Sequence, residues 1–324
     1  MKKRILVVTT LLLAACGANA QQDLALTHFI FNKMAVNPGE TGIENGACGS
    51  MIYRNQWDKV NGAPNSLLIN AEGNLPSLLR LSPLNGGIGL NVVHDAIGFN
   101  RQTNVMLNYS QHVSISGGTL GIGVGLGLFS FGLNPVWVPP NTLSDASLPA
   151  GSSAMTFDAN FGLFYKKDNW YAGLSSTHLT APILDQKSIL GTGTVQYNGA
   201  RHYYFMGGYT IDGIASGRDK VDIQMLGQTD AVKTSINLNA RYIFNNFLYG
   251  GLAFRNSDAV SVLLGWRPFE KVNATAFQNL WVGYSYDITI GKIASISNGT
   301  HEIAVKYCYI PKMKVTKHKH PRWL

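Results

Sequence analysis

Gly118-Thr119-Leu120-Gly121-Ile122-Gly123-Val124-Gly125-Leu126-Gly127-Leu128-Phe129 decides how the chain is read. Successive side chains of an extended strand point to opposite faces. Leu120, Ile122, Val124, Leu126 and Leu128 therefore share one face, and Gly121, Gly123, Gly125 and Gly127 share the other. In water a glycine face gains nothing from burial and loses much backbone entropy. In a membrane barrel the pattern makes sense, because lipid wets the apolar face while the other lines a crowded or wet lumen.

The rest of the chain repeats this signal. Val105, Leu107 and Tyr109 oppose Asn104, Asn108 and Ser110; Phe157, Ala159, Phe161, Leu163 and Tyr165 oppose Asp158, Asn160 and Gly162. Ile303, Val305, Tyr307 and Tyr309 oppose Glu302, Ala304, Lys306 and Cys308. Fourteen strands are expected, near 47–57, 66–74, 86–94, 101–113, 118–130, 153–165, 169–178, 201–210, 219–226, 231–242, 246–255, 258–267, 278–289 and 301–311. The fold class is all-β, a transmembrane outer-membrane β-barrel of about 14 antiparallel strands. A soluble all-β protein would also alternate. Against it stand the export signal, a charged fraction of only 14% and aromatic residues at strand ends. Tyr53 and Trp57, Trp170 and Tyr171, Trp281 with Tyr284 and Tyr286, and Tyr307 with Tyr309 suit interfacial girdles.

The ends define four segments. Lys2, Lys3 and Arg4, an apolar run from Ile5 to Ala15 and Ala18-Asn19-Ala20 form an export signal, residues 1–20. Leu13-Ala14-Ala15-Cys16 also resembles a lipobox, so lipidation at Cys16 competes with cleavage after Ala20. Residues 21–46 form an N-terminal segment that crosses the periplasmic mouth or plugs the lumen, 47–311 the barrel and 312–324 a basic periplasmic tail. Short turns at Ser116-Gly117-Gly118, Lys166-Lys167-Asp168-Asn169 and Asn245-Asn246 follow even-numbered strands. Longer segments, 131–152 and 179–200, follow odd-numbered ones, which places both termini in the periplasm. The exceptions are 75–85 and 268–277, periplasmic yet not short, and 256–257, external yet tight.

The net charge of +8 misleads. Three positive charges belong to the signal, and Lys312, Lys314, Lys317, Lys319 and Arg322 to the tail, so the body between is neutral by count and offers nucleic acid no basic face. Beyond the signal, Cys48 and Cys308 are the only cysteines. They fall in the first and last strands at similar heights, leaving open a disulfide across the seam or two small buried thiols. Neither a Gly-x-Ser-x-Gly elbow, a His-Glu-x-x-His motif nor a Walker loop occurs, so no catalytic, metal or cofactor site is expected. His94 and Asp95 are adjacent but lack a nucleophile, Ser110, Ser130 and Ser175 lack company, and Lys317-His318-Lys319-His320 reads as a solvated docking arm. The lumen candidates Arg54, Asn91, Asn104, Asn108, Asp158, Asn160, Glu302 and Lys306 are sparse and mixed, more a satisfied polar interior than a selectivity device.

Further residues carry a resemblance. Gln21-Gln22-Asp23, Phe31-Asn32, Ala35-Val36-Asn37-Pro38, Tyr53-Arg54-Asn55-Gln56-Trp57 and Gly62-Ala63-Pro64 open the pattern. Gly87-Ile88-Gly89-Leu90 with Asp95, Ile97 and Gly98, then Tyr109-Ser110, Tyr171-Ala172-Gly173-Leu174-Ser175 and Arg201-His202-Tyr203-Tyr204 continue it. Tyr284, Tyr286-Asp287-Ile288 and His301-Glu302-Ile303 complete it. In order and spacing the chain resembles the type IX secretion system membrane proteins PorP/SprF from about residue 21 to 310. It departs at Asp23-Leu24, where the family usually has Asp-Pro, and in the extra tail. The resemblance implies a non-enzymatic Bacteroidetes outer-membrane barrel of the secretion and gliding machinery. It also implies outer-membrane lipids and a periplasmic lipoprotein with its ring protein as partners, with a peptidoglycan-binding lipoprotein or a secreted substrate's C-terminal domain besides. The first reading is an anchor for these periplasmic parts. The alternatives are a substrate-specific barrel that receives a secreted protein through 131–152 and 179–200, and a small-solute channel. Phe29, Phe31, Asn37, Pro38, the linkers 75–85 and 268–277 and the tail lysines and arginine are the candidate partner face.

Overall fold

A computed structural model describes residues 24–79, 85–134, 152–187, 194–215, 217–256, 258–270 and 277–311. The export signal with Cys16, most of the segment 131–152, and the tail with Lys312, Lys314, Lys317, Lys319 and Arg322 lie outside the described residues.

In chain order the strands are β1 (Ala47–Asn55), β2 (Asn65–Asn74), β3 (Gly86–Ile97), β4 (Asn100–Ile115), β5 (Gly118–Leu133), β6 (Ser152–Lys167), β7 (Trp170–Thr177) and β8 (Ile183–Lys187). Then come β9 (Thr194–Asn198), β10 (His202–Asp212), β11 (Lys220–Thr229), β12 (Thr234–Phe244), β13 (Leu248–Arg255), β14 (Ala259–Trp266), β15 (Leu280–Thr289) and β16 (Thr300–Tyr309). Fourteen of them close into an antiparallel barrel, each beside its chain neighbour, with β7 next to β10 and β16 back against β1. No end of these fourteen differs by more than three residues from the sequence expectation. Closure removes the sheet edges that lipid could not hydrogen-bond. The segment 179–200, read as a plain long loop, contains instead the two-stranded hairpin β8–β9. Its Leu184 and Tyr197 pack on Phe129 and Phe131 of β5.

The apolar faces point outward: Leu126 and Leu128 are 52% and 50% exposed, while Gly121, Gly123 and Gly125 are buried. The core lies in the lumen. Residues 24–46 run inside the barrel as a plug, in three short 3-10 turns, Phe29–Phe31, Lys33–Ala35 and Pro38–Glu40. Pro38 sits where its missing N–H costs nothing, and the Asn37 side chain accepts the Gly39 N–H at 2.9 Å. The two ends of the barrel are called here the C-terminal mouth, where β16 finishes beside the start of β1, and the distal mouth. Leu24 lines the distal mouth with Trp57 and Pro64, whereas Gly46 abuts Tyr309 at the C-terminal mouth. Leu24 and Gly46 thus lie at opposite mouths, because the plug traverses the lumen before β1 begins, one of the two placements the sequence left open for this segment. The girdle expectation is corrected. Tyr53, Trp170, Tyr284 and Tyr309 are exposed, but Tyr171 is buried in the lumen and Trp281 lines a lumen cavity.

Candidate functional site: the plug and the two mouths

The plug is seated on the glycine face. A Cβ on Gly123 would fall 2.2 Å from the Pro38 carbonyl carbon, and one on Gly121 2.0 Å from the Gly39 oxygen. On β6, a Cβ at Gly162 would fall 2.1 Å from the Asn37 side-chain oxygen. Only glycine leaves room for backbone to approach a strand this closely. Ser110 and Ser175, without company as nucleophiles, donate to the Gly39 and Val36 oxygens at 2.9 and 2.6 Å. Asn37 donates to the Leu163 carbonyl at 3.0 Å. Glu72 accepts the Gly42 N–H at 2.8 Å, and Asn74 donates to the Gly42 carbonyl at 3.0 Å.

Near the distal end of the seam a buried charge cluster grips the plug. Arg54 Nη1 lies 2.8 Å from Asp287 and 2.9 Å from Glu302. Glu302 accepts the Thr27 and His28 N–H groups at 3.0 and 2.6 Å, and the His28 ring lies 2.9 Å from it. The Thr27 hydroxyl donates to Asp287 and accepts from Arg54 and Arg255 at 3.3 and 3.2 Å. Each charge here has an opposite partner or several hydrogen bonds, the condition under which buried charges are tolerated. Arg54 and Glu302 were legible as lumen residues; their joint grip on Thr27 and His28 was not.

Phe29, Phe31, Asn37 and Pro38 were expected to face a partner. They are all buried within the plug, Phe31 with its ring edge-on to Tyr249 at 6.2 Å. Burial of each phenylalanine holds the plug by about 2 kcal/mol, which leaves these side chains no surface to offer. Linker 75–85 carries the short helix α1 (Leu75–Leu79), and residues 80–84 and 271–276 of the two linkers lie outside the described residues. His94 and Asp95 occupy opposite faces of β3: His94 meets Thr103 at 2.9 Å, and Asp95 accepts from Ser66. They form no dyad.

Along the seam, Cys48 pairs with Cys308, Ile52 with Ala304 and Arg54 with Glu302. The two cysteines are joined as a disulfide across the seam. Glu44, in the link between plug and β1, lies 3.8 Å from both sulfurs and 3.6 Å from the Lys306 ammonium. That ammonium holds the Glu44 carboxyl down at about 2. Two cavities flank the plug, about 390 Å³ at the C-terminal mouth and about 530 Å³ at the distal mouth.

A family model described as "Type IX secretion system membrane protein PorP/SprF" matches residues 18–307. No curated protein matches the chain. Solved structures similar to it include the Ralstonia pickettii toluene transporter TbuX, at 12% identity and a TM-score of 0.49, covering 91% of this chain and 96% of that one. The P. putida toluene transporter TodX is similar at 12% identity, TM-score 0.45, covering 92% and 98%. Acinetobacter baumannii Omp33 is similar at 7%, TM-score 0.43, covering 83% and 100%. At these values nothing about substrates carries over.

Proposed function

We propose, from the premise that this chain belongs to the PorP/SprF family of type IX secretion system membrane proteins, that it is a fixed outer-membrane anchor for the periplasmic parts of that machine. The family makes it an outer-membrane β-barrel and a non-enzymatic membrane component of type IX secretion. One observation supports the anchoring role above all: residues 24–46 occupy the lumen and are held there by wall side chains from β2, β4, β7 and β16. A barrel filled by its own chain offers its rims rather than its interior. The short turns at 116–117 and 168–169 lie at the C-terminal mouth and support reading that mouth as the periplasmic one. The partners there are a lipoprotein with its ring protein and a peptidoglycan-binding lipoprotein, met by the linkers and the basic tail. On this reading the signal 1–20 is removed, and the mature chain starts at Gln21.

A second reading rests on the distal cavity of about 530 Å³, which would seat a short segment of one secreted protein held at the rim. Affinity purification from the native outer membrane separates the two. Ring and lipoprotein partners support the anchor, with recovery lowered at physiological salt when 312–324 are deleted. A single secreted polypeptide in their place would overturn it.

A further inference from the structure

At the C-terminal mouth the seam gathers three side chains that can ligate a metal. Cys48 of β1 and Cys308 of β16 stand directly opposite each other. Glu44, in the link from the plug, holds one carboxylate oxygen 3.8 Å from each sulfur. The three donor atoms lie within 4.8 Å of one another. In a tetrahedral centre with metal–sulfur bonds of about 2.3 Å and metal–oxygen bonds of about 2.0–2.2 Å, donor atoms stand about 3.5–3.8 Å apart. The Glu44 oxygen is therefore already at ligand spacing from both sulfurs. Only the disulfide stands in the way, because the thiolate is the form that binds metal. Two cysteines alone do not make such a site; Glu44 supplies the third donor.

Access and charge both favour a site here once the bond opens. Cys308 and Glu44 line the cavity of about 390 Å³ at this mouth, whereas Cys48 is buried. A small dithiol entering the cavity thus reaches the Cys308 sulfur. Around the seam Lys33, Lys166 and Lys306 interact with Glu40, Glu44 and Glu72, ammonium groups and carboxylates in equal number. Two thiolates would tip that balance to the negative side, and one divalent cation restores it. We propose that the seam is a redox-gated metal site: when it is reduced, Cys48, Cys308 and Glu44 hold a divalent cation of the zinc class, with water from the cavity in the fourth position. Thiolate ligands select such a cation over magnesium or calcium. The reductant is a dithiol. One of its thiolates attacks Cys308 Sγ, the S–S bond breaks, and Cys48 Sγ leaves as a thiolate. The second thiolate then attacks the mixed disulfide and frees Cys308. Two electrons pass to the seam, the reductant ends as its own disulfide, and its two protons pass to the cysteines until the metal displaces them. β1 and β16 stay stapled in either state, by a covalent bond or through the metal. The inference holds whichever mouth is periplasmic.

The test uses full-length protein in detergent micelles, reduced with dithiothreitol, desalted without oxygen and titrated with Co²⁺. Cobalt bound to thiolate has a charge-transfer absorption that carboxylate, imidazole and water ligands do not produce, so the tail histidines stay silent. The absorption is expected to saturate at one Co²⁺ per chain and to disappear when Zn²⁺ is added. It should be absent before reduction and absent in Cys308→Ser. Glu44→Gln should bind about tenfold or more weakly, since loss of even an outer partner of a metal ligand costs that much. Glu72→Gln removes an equal charge from the residue opposite Cys48 on β2 and should bind as the wild type does. Equal weakening in these two variants would overturn Glu44 as a ligand. The wild type before and after reduction remains decisive if a variant fails to fold. A disulfide that dithiothreitol leaves closed in the folded protein would overturn the site. So would two alkylatable thiols that give no saturable thiolate absorption with Co²⁺.

Discussion

Gly123→Ala should destabilise the protein, although alanine is normally the better strand residue. Relieving glycine's backbone entropy would by itself stabilise by roughly 0.5–1 kcal/mol. At Gly123, however, the new Cβ meets Pro38 carbon and oxygen at 2.2 Å and Gly39 nitrogen at 2.3 Å. These are backbone atoms of a turn fixed by Ser110, Ser175 and Asn37, so they cannot step aside as a flexible side chain would. Overpacking of this kind costs about 1–3 kcal/mol, leaving a net loss of about 1–2 kcal/mol. Gly250→Ala is the control. Its Cβ would approach nothing nearer than Leu264 Cδ2 at 4.0 Å, so it should be neutral or stabilising. Urea unfolding of vesicle-inserted protein, followed by tryptophan fluorescence, measures both. If Gly123→Ala unfolds at the same urea concentration as the wild type, or the two variants shift alike, the plug is not seated on the glycine face.

Non-reducing and reducing gels of denatured protein should differ in mobility, with no alkylatable thiol at Cys48 or Cys308 before reduction. Because the bond joins residues 260 apart, Cys48→Ser should cost on the order of 3–5 kcal/mol of unfolding free energy; equal mobility with two reactive thiols would remove the seam bond. Arg54→Met leaves Asp287 and Glu302 buried together without their cation, and should destabilise by about 3–5 kcal/mol in the same urea assay. The Glu44 carboxyl, held at about 2 by Lys306, contributes stability above its ordinary value of 4.5 and loses it only as pH falls through about 2. Lys306→Met should remove most of that contribution, so the fall of the unfolding midpoint between about pH 4.5 and 2 becomes shallower than in the wild type.

The barrel was legible because its signal is local and repeated. Alternation in 118–129 and its counterparts depends only on residues two apart, and it placed all fourteen barrel strands. The meaning of the glycine face was not local. Asn37-Pro38-Gly39 reads as a turn whether it lies across the rim or inside the lumen. What places it inside is contact with Gly121, Gly123 and Gly162, together with the bond from Thr27 to Glu302, 275 residues away. Phe29 and Phe31 misled for the same reason: a partner-facing aromatic and a plug aromatic look alike in sequence. Tyr171 and Trp281 were assigned to the girdles by position along their strands, but the pleat turns both inward. The hairpin β8–β9 was missed because each strand has only five residues, too few for alternation to stand out.

The central claim is that the chain fills its own barrel and works at its rims. Single-channel recording of the purified protein in planar bilayers in concentrated potassium chloride tests it most directly. A silent membrane, with current steps appearing only when residues 24–46 are deleted, is the result predicted. Steady porin-sized conductance from the intact protein would contradict the account and return the chain to the solute channels.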